Sequence, residues 1–429
     1  MDSSEHFTLE IVDGSVSVTG YDGPGGNVVI PAYVCSGDRI NGHAFPVRSI
    51  EDHAFFDCPG VISIVIPHTV ESIEVNAFSD CPDLISFHVA DDNVHFSSEG
   101  GVLFDKARTT LIKCPGGMVG DYHVPDGVTG IGDFAFSRCP NLTSITLSTD
   151  VGHINVNTLA WCPKLVSIDV ADDNVHFSSE GGVLFDKART TLIKCPEGMV
   201  GDYHVPDGVI SIGERAFDEC TRMTSVTFPE GVTKIGNWAF NRCSSMSSIP
   251  LPDGVTTLGD YAFCECGNLV SVSVPDSVTH LGNNVFCECT RLTSISLPEG
   301  VTSIGRYAFA DCIGLKDVTI PGCVTCIGDY AFSGCSGLVS VSIPGSVERI
   351  GDGAFTGCEG LTSVTVPEGV TSIGCHAFFR CSCLRFVTLP SSVTSIGLWA
   401  FSDCPGLRTV YIGSDVDHDF GSDVEVIRS

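Results

Sequence analysis

Positive charge is scarce in this chain. Its 429 residues carry 22 Lys and Arg against 52 Asp and Glu, a formal charge of −30. That leaves no basic footprint for a phosphate backbone and argues against nucleic acid as a partner. Long apolar runs are missing as well, since none approaches the ~18 residues that a bilayer-spanning helix needs. The opening Met-Asp-Ser-Ser-Glu-His has neither the basic nor the apolar region of a secretory leader. It reads either as a protein kept inside the cell or as a chain whose leader lies upstream. Catalytic signatures are absent: there is no nucleophile elbow, no phosphate loop and no His-Glu-x-x-His. We therefore expect no enzyme, no cofactor and no metal. Disorder is excluded by a hydrophobic content of 43% with only 17% charged residues.

What the chain has instead is a beat. Cysteines stand at Cys58, Cys81, Cys139, Cys162, Cys220, Cys243, Cys266, Cys289, Cys312, Cys335, Cys358, Cys381 and Cys404, spaced by 23 residues except for two intervals of 58. A Phe precedes each by three residues, with Leu159 the one exception. A fixed period in the twenties marks a solenoid, in which each coil buries its apolar face only against its neighbours. The cysteines then form a column of buried free thiols, which suits a reducing or anaerobic setting.

The coil around Cys220 shows the plan. Val209 and Ile212 face inward on an extended segment, and Gly213 permits the bend that follows. Ala216, Phe217 and Cys220 have the spacing of one helical turn on the core. Ser225-Val226-Thr227-Phe228 alternates as a half-buried strand and Pro229 closes it. These strands are expected to stack into one long parallel sheet. Each 58-residue interval hides an extra coil and a hairpin built from Gly-Val-Leu-Phe, a turn at Asp-Lys-Ala-Arg, and Thr-Thr-Leu-Ile-Lys. Segments 89–128 and 170–209 differ only at Gly116 against Glu197, so one long unit copies the other. Lys106, Arg108, Lys113, Lys187, Arg189 and Lys194 put local basic charge on these hairpins, expected to project and to allow a bivalent contact. Phe7 to Pro31 alternates around Gly-rich turns and is expected to cap the first coil. After Tyr411-Ile412 the repeat dissolves into a polar ending.

The unit Ile-Pro-x-x-Val-x-x-Ile-Gly-x-x-Ala-Phe-x-x-Cys-x-x-Leu-x-x-Val, cleanest at 320–343 and 343–366, resembles the BspA-type leucine-rich repeat. The resemblance spans roughly 7–412 and includes the Phe-Ser-Ser-Glu-Gly-Gly-Val-Leu-Phe insertion. It implies a leucine-rich repeat solenoid: a curved right-handed coil, parallel sheet on the concave face, short helical turns or extended segments on the convex face. We expect an N-terminal β cap over 1–48, about 15 coils over 49–412 with insertions near 96–113 and 177–194, and a C-terminal cap or tail over 413–429. It also implies a non-enzymatic surface or secreted protein linked to adhesion, binding a matrix or cell-surface protein as a monomer. The rival is a cytoplasmic, acidic, thiol-rich interaction or inhibitor protein. A passive spacer is a third reading.

Binding residues are sought on the outward positions of the strands. Ser fills most of the first outward column, where Asp317, Phe386 and Thr409 stand out. Affinity concentrates in aromatic anchors, which singles out Phe386 and Tyr411. The second outward column is expected to place His88 beside His123 and Asp169 beside His204, with Asp121 and Asp202 next to the histidines. Such a patch is pH-sensitive by composition. Cys264 and Cys287, beside column members, are expected to be partly exposed, and Cys323-x-x-Cys326 has a zinc-like spacing without four converging ligands.

Overall fold

The computed structural model describes residues 5–35, 44–413, 416 and 418–428. All regular structure among them is β-strand, arranged as a parallel-strand solenoid of stacked turns. The strands fall into two compact units. One runs up to Ala188 and takes in Cys195–Gly198; the other comprises Arg189–Lys194 and Met199 onward.

Each coil of the second unit carries two parallel ladder positions. Two-residue strands follow one another without a break from Ser211–Ile212 through Lys234–Ile235 and Thr257–Leu258 to Ser395–Ile396. The other strand of the coil, expected to make the long sheet, is divided. Gly201–His204 pairs with Met223–Thr227, Ser271–Ser273 with Ser294–Ser296, and Asp317–Thr319 with Ser340–Ser342. A four-stranded sheet of Ser363–Thr365, Phe386–Leu389, Thr409–Ile412 and Glu425–Arg428 follows. Prolines such as Pro298, Pro321 and Pro344 follow the divided strands and withhold the amide that would lengthen them.

Glycine closes the continuous side. A Cβ on Gly259 would lie 2.5 Å from the Asn237 amide nitrogen of the preceding coil, and one on Gly328 would lie 2.8 Å from Gly305 backbone. The Asx residue after the glycine then bridges coils. Asn237 Oδ1 accepts from Asp260 N at 3.0 Å, Asp260 Oδ1 from Asn283 N at 2.7 Å, and Asp352 Oδ1 from Cys375 N at 2.7 Å. Gly259→Ala is expected to force two coils apart and lower stability by about 1–3 kcal/mol. A denaturation midpoint equal to that of the parent would show that the coils are not this close.

The segment holding Ala-Phe-x-x-Cys is not a helical turn. Its amides alternate: Ala216, Asp218 and Cys220 donate within the coil to Gly213, Arg215 and Phe217, while Arg215, Phe217 and Glu219 donate to Asn237, Ala239 and Asn241 of the next coil. A helix would send every amide back along its own chain and leave nothing to bind the neighbour. The alternation requires left-handed backbone at Arg215 (φ 54°) and Glu219 (φ 63°), and again at Trp238 and Arg242 and in later coils.

Inside, the rings of Phe217, Phe240, Phe263, Phe286, Phe309, Phe332, Phe355, Phe378 and Phe401 stack in register. Neighbouring centroids lie 4.7 to 5.7 Å apart with interplanar angles from 3 to 11°. From Cys243 to Cys404 each column thiol donates to the carbonyl of the Phe in the coil before it, as in Cys243 Sγ to Phe217 O and Cys312 Sγ to Phe286 O, both 3.1 Å. The Phe–Cys beat is thus one device: the ring packs along the axis and the thiol satisfies the carbonyl behind it. Burial pushes the thiols from Cys243 to Cys358 up, Cys266 to about 12.

The second unit closes on a strand and a ring where the sequence suggested a polar ending. Glu425–Arg428 pairs in parallel with Thr409–Ile412, and Phe420 and His418 pack on Phe401 at 5.5 and 6.0 Å.

In the first unit Phe7–Val12 and Ser15–Tyr21 form an antiparallel hairpin, and Tyr21 stacks on Phe55 at 5.4 Å. Leu159 keeps the place of the missing Phe and is buried. The first insertion is an antiparallel meander of Phe96–Glu99, Val102–Asp105 and Thr110–Lys113, whose last strand continues in parallel with Gly130–Ile131. Its strands do not project: Val102, Leu103, Phe104 and Leu111 are fully buried. Of the expected basic patch, Lys113 and Lys194 are buried, whereas Lys106, Arg108, Lys187 and Arg189 stay exposed at the turns. Lys113, 4% exposed, donates to Phe134 O at 2.8 Å and Ser137 O at 3.3 Å, and burial pulls its pKa down. Lys106 Nζ donates to Asp91 O and Lys187 Nζ to Asp172 O. Arg108 pairs with Glu99. In the second unit Lys194 donates to Arg215 O and Asp218 O.

Candidate functional site

The polar residues of the first unit divide into two groups. His123 lies opposite Thr146, which lies opposite Asp169, on three adjoining strands. Asp121 accepts from Thr143 Oγ1 and Ser144 Oγ, each at 2.8 Å, and these hydroxyls hold its carboxyl below the usual range, Ser144 most strongly. Asp169 accepts from Ser167 Oγ at 2.8 Å. His88 stands apart from this row. It faces Val65 in another sheet and hydrogen-bonds Ser86 Oγ at 3.0 Å. The amide of its neighbour Phe87 donates to Gly101 O, so the turn of the insertion takes the position at which His123 was expected. Ile168 N likewise donates to Gly182 O, so the turn of the second insertion lies along the strand that carries Asp169.

In the second unit Asp202 accepts from Thr224 Oγ1 and Ser225 Oγ, both 2.7 Å, and its carboxyl is lowered by the same cause, Thr224 first. His204 Nδ1 and Thr227 Oγ1 share a hydrogen bond at 2.6 Å. Asp317 begins its strand, exposed, opposite Ser340.

Phe386 and Tyr411 come together. Phe386 lies opposite Ser363 and Thr409, and Tyr411 is two residues beyond Thr409 on the adjoining strand. Alternation puts both rings on the same outward face as diagonal neighbours, within ~7–8 Å. They are 48% and 43% exposed. Opposite Tyr411 stands Ile427, 37% exposed, which completes an apolar triangle on the last strands. The sequence reading stopped at Ile412 and missed it, although the alternation Glu-Val-Ile-Arg was a signal.

A second aromatic feature was also missed. Two residues before each Phe, at the left-handed position, Trp238 stacks on Tyr261 at 3.8 Å, Tyr307 on Tyr330 at 4.9 Å, and His376 packs on Trp399 at 5.1 Å. Arg215 lies over Trp238 at 4.8 Å. The rings cover one another's faces, so they serve mainly to tie adjacent coils together.

The described cysteines are all free thiols. Cys35, Cys323 and Cys383 are exposed; of Cys264 and Cys287, both expected to be partly exposed, Cys264 is buried and Cys287 partly open. Among the described residues no three His, Cys, Asp or Glu side chains converge as a metal site. Native labelling with a maleimide is expected to mark Cys35, Cys323 and Cys383 first and to reach the column between Cys220 and Cys381 only after unfolding. Rapid native labelling there would contradict this packing.

The family model for the BspA type leucine rich repeat region matches over 29–106, 119–199, 200–316 and 302–419. The chain belongs to the BspA-type leucine-rich repeat family. A solved leucine-rich repeat protein from Bacteroides ovatus is 26% identical, with 99% of this chain and 98% of that one covered and a TM-score of 0.54. Another from Eubacterium ventriosum is 22% identical over 83% of this chain and 94% of that one, with a TM-score of 0.60. A leucine rich cell surface protein from Faecalibacterium prausnitzii is 26% identical over 96% and 94%, with a TM-score of 0.42. No curated protein matches the chain. BspA-type repeat proteins generally mediate protein interactions and are typically non-enzymatic scaffolds. Among the described residues no helix is long and apolar enough to cross a membrane.

Proposed function

We propose that this BspA-type solenoid is a non-catalytic binding scaffold, an adhesin-like module that works at the cell surface or outside the cell and engages a matrix or cell-surface protein. The observation that carries the reading is the exposed triangle of Phe386, Tyr411 and Ile427 on an otherwise short-hydroxyl strand face. Large aromatic side chains held on strands bind at low entropic cost and are the usual anchors of protein interfaces. The acidic balance of the chain favours a partner with a basic rim around that anchor. Asp317 and the Asp121–His123–Asp169 and Asp202–His204 groups are secondary polar contacts, and His88 stands alone.

The free thiols favour a second reading, an interaction or inhibitor protein of the reducing cytoplasm. The experiment that separates them presents the immobilised chain to purified matrix proteins and, in parallel, to cytosolic lysate. The adhesin-like reading expects a saturable matrix ligand whose capture drops at least ten-fold with Phe386→Ala/Tyr411→Ala, since an anchor contributes about 2 kcal/mol or more. Saturable capture from cytosol alone would replace it with the second reading.

A further inference from the structure

The thiol column of the second unit opens at one end. Its members from Cys220 to Cys381 are shut off from solvent, whereas Cys404 in the last coil is partly exposed. Cys404 lines a cleft of about 780 Å³ whose walls carry Arg380 and Arg408 beside Asp403, Asp419 and Asp423. Arg380 and Asp403 lie 3.7 Å apart. The cleft therefore offers both signs of charge next to a sulfur.

One coil inward stands Cys381, and the two thiols are built alike. Cys404 Sγ donates to Phe378 O at 3.1 Å and Cys381 Sγ to Phe355 O at 3.3 Å. The stacked rings beside them give the step between coils: Phe355 to Phe378 and Phe378 to Phe401 are each 5.2 Å. A disulfide joins residues whose Cα atoms are roughly 4.4–6.8 Å apart, so a bridge between these coils fits without unwinding them.

We propose that Cys404 and Cys381 form a thiol–disulfide exchange site for small zwitterionic peptide disulfides that enter by the cleft. The Cys404 thiolate attacks one sulfur of the small disulfide and breaks its S–S bond. The other half leaves as a thiolate and takes up the proton that Cys404 gave up. The Cys381 thiol, losing its proton, then attacks the Cys404 sulfur and expels the second half, which leaves as a thiol with that proton. Two protein thiols are oxidised to one disulfide, and the small disulfide is reduced to two thiols. The order of attack follows from access: Cys404 opens on the cleft, and Cys381 is closed to solvent. The neighbouring Cys381 thiol holds Cys404 below an ordinary thiol, while the Cys404 thiol and then burial push Cys381 well up. Thiolate fraction and access select the entering sulfur. Exposure alone does not make such a site: Cys323 and Cys383 are open, but the matching positions one coil away are Gly300, Ser346, Gly360 and Gly406. This site is independent of the binding reading above and stands if that reading fails.

The test treats the full chain with oxidised glutathione, quenches in acid, alkylates the remaining thiols and maps the peptides. The parent is expected to show Cys381 linked to Cys404, with only mixed disulfides at Cys35, Cys323 and Cys383. Cys381→Ser should stop at a glutathione adduct on Cys404, and Cys404→Ser should leave Cys381 a free thiol. Finding Cys404 alkylated in the parent while Cys383 carries glutathione would overturn the proposal. So would an unadducted Cys404 in folded Cys381→Ser. Where a serine variant fails to fold, the map of the parent decides alone.

Discussion

Phe309→Ala is expected to cost roughly 3–5 kcal/mol, the range for removing a fully buried ring. Phe309 is closed to solvent and lies 5.7 Å from Phe286 and 5.2 Å from Phe332 in the stack. Its loss empties the space on both sides at once, and the coils cannot simply close on it, because inter-coil hydrogen bonds such as Phe286 N to Ala308 O and Phe309 N to Ala331 O hold their spacing. Stability in a repeat array is shared between nearest neighbours. The melt should therefore drop and broaden, with the coils before and after Phe309 separating. Calorimetry that gave one transition of parental width and midpoint would contradict neighbour-to-neighbour coupling.

An effect of similar size is expected at Asn93, from polar satisfaction in place of volume. The side chain is 0% exposed. Its amide donates to Pro67 O at 2.9 Å and Val70 O at 3.0 Å, and its Oδ1 accepts from His95 N and Phe96 N, both 2.8 Å. Asn174 repeats the arrangement with Ser148 O, Val151 O, His176 N and Phe177 N. Asn93→Ala strands four backbone groups, two of them where the insertion leaves the coil. At about 1 kcal/mol or more for each bond lost with its partner still buried, the cost is roughly 4 kcal/mol. Asn93→Asp keeps the acceptor but buries a charge against two carbonyls, and should be no better. Chemical denaturation of both variants checks this; a loss below about 1 kcal/mol for Asn93→Ala would mean that water replaces the side chain.

The fold was legible where a residue faces the core of its own coil and its neighbours do the same. Phe217 and Cys220 recur because ring must meet ring and thiol must meet carbonyl at every step, so their period appears directly in the sequence. The helical turn was misread because the spacing of Ala216, Phe217 and Cys220 suits a helix equally well. What decides against it is the carbonyl of Ala239 in the next coil, which accepts the amide of Phe217. No local pattern encodes that partner. The site was legible in part for the same reason. Phe386 and Tyr411 were found by alternation along strands, but His88 was placed beside His123 on the assumption that the insertion projects. Leu103 and Phe104 are apolar enough to pull it into the core instead, and its turn then occupies the strand edge at Phe87.

The most direct test of the binding account is a hydrogen-exchange footprint of the chain with its captured ligand. Protection is expected in Phe386–Leu389, Thr409–Ile412 and Glu425–Arg428, the strands that carry the exposed triangle, and it should vanish with Phe386→Ala/Tyr411→Ala. Protection confined to the side that carries Trp238, Tyr261, Tyr307 and Tyr330, with those three strands unchanged, would contradict it.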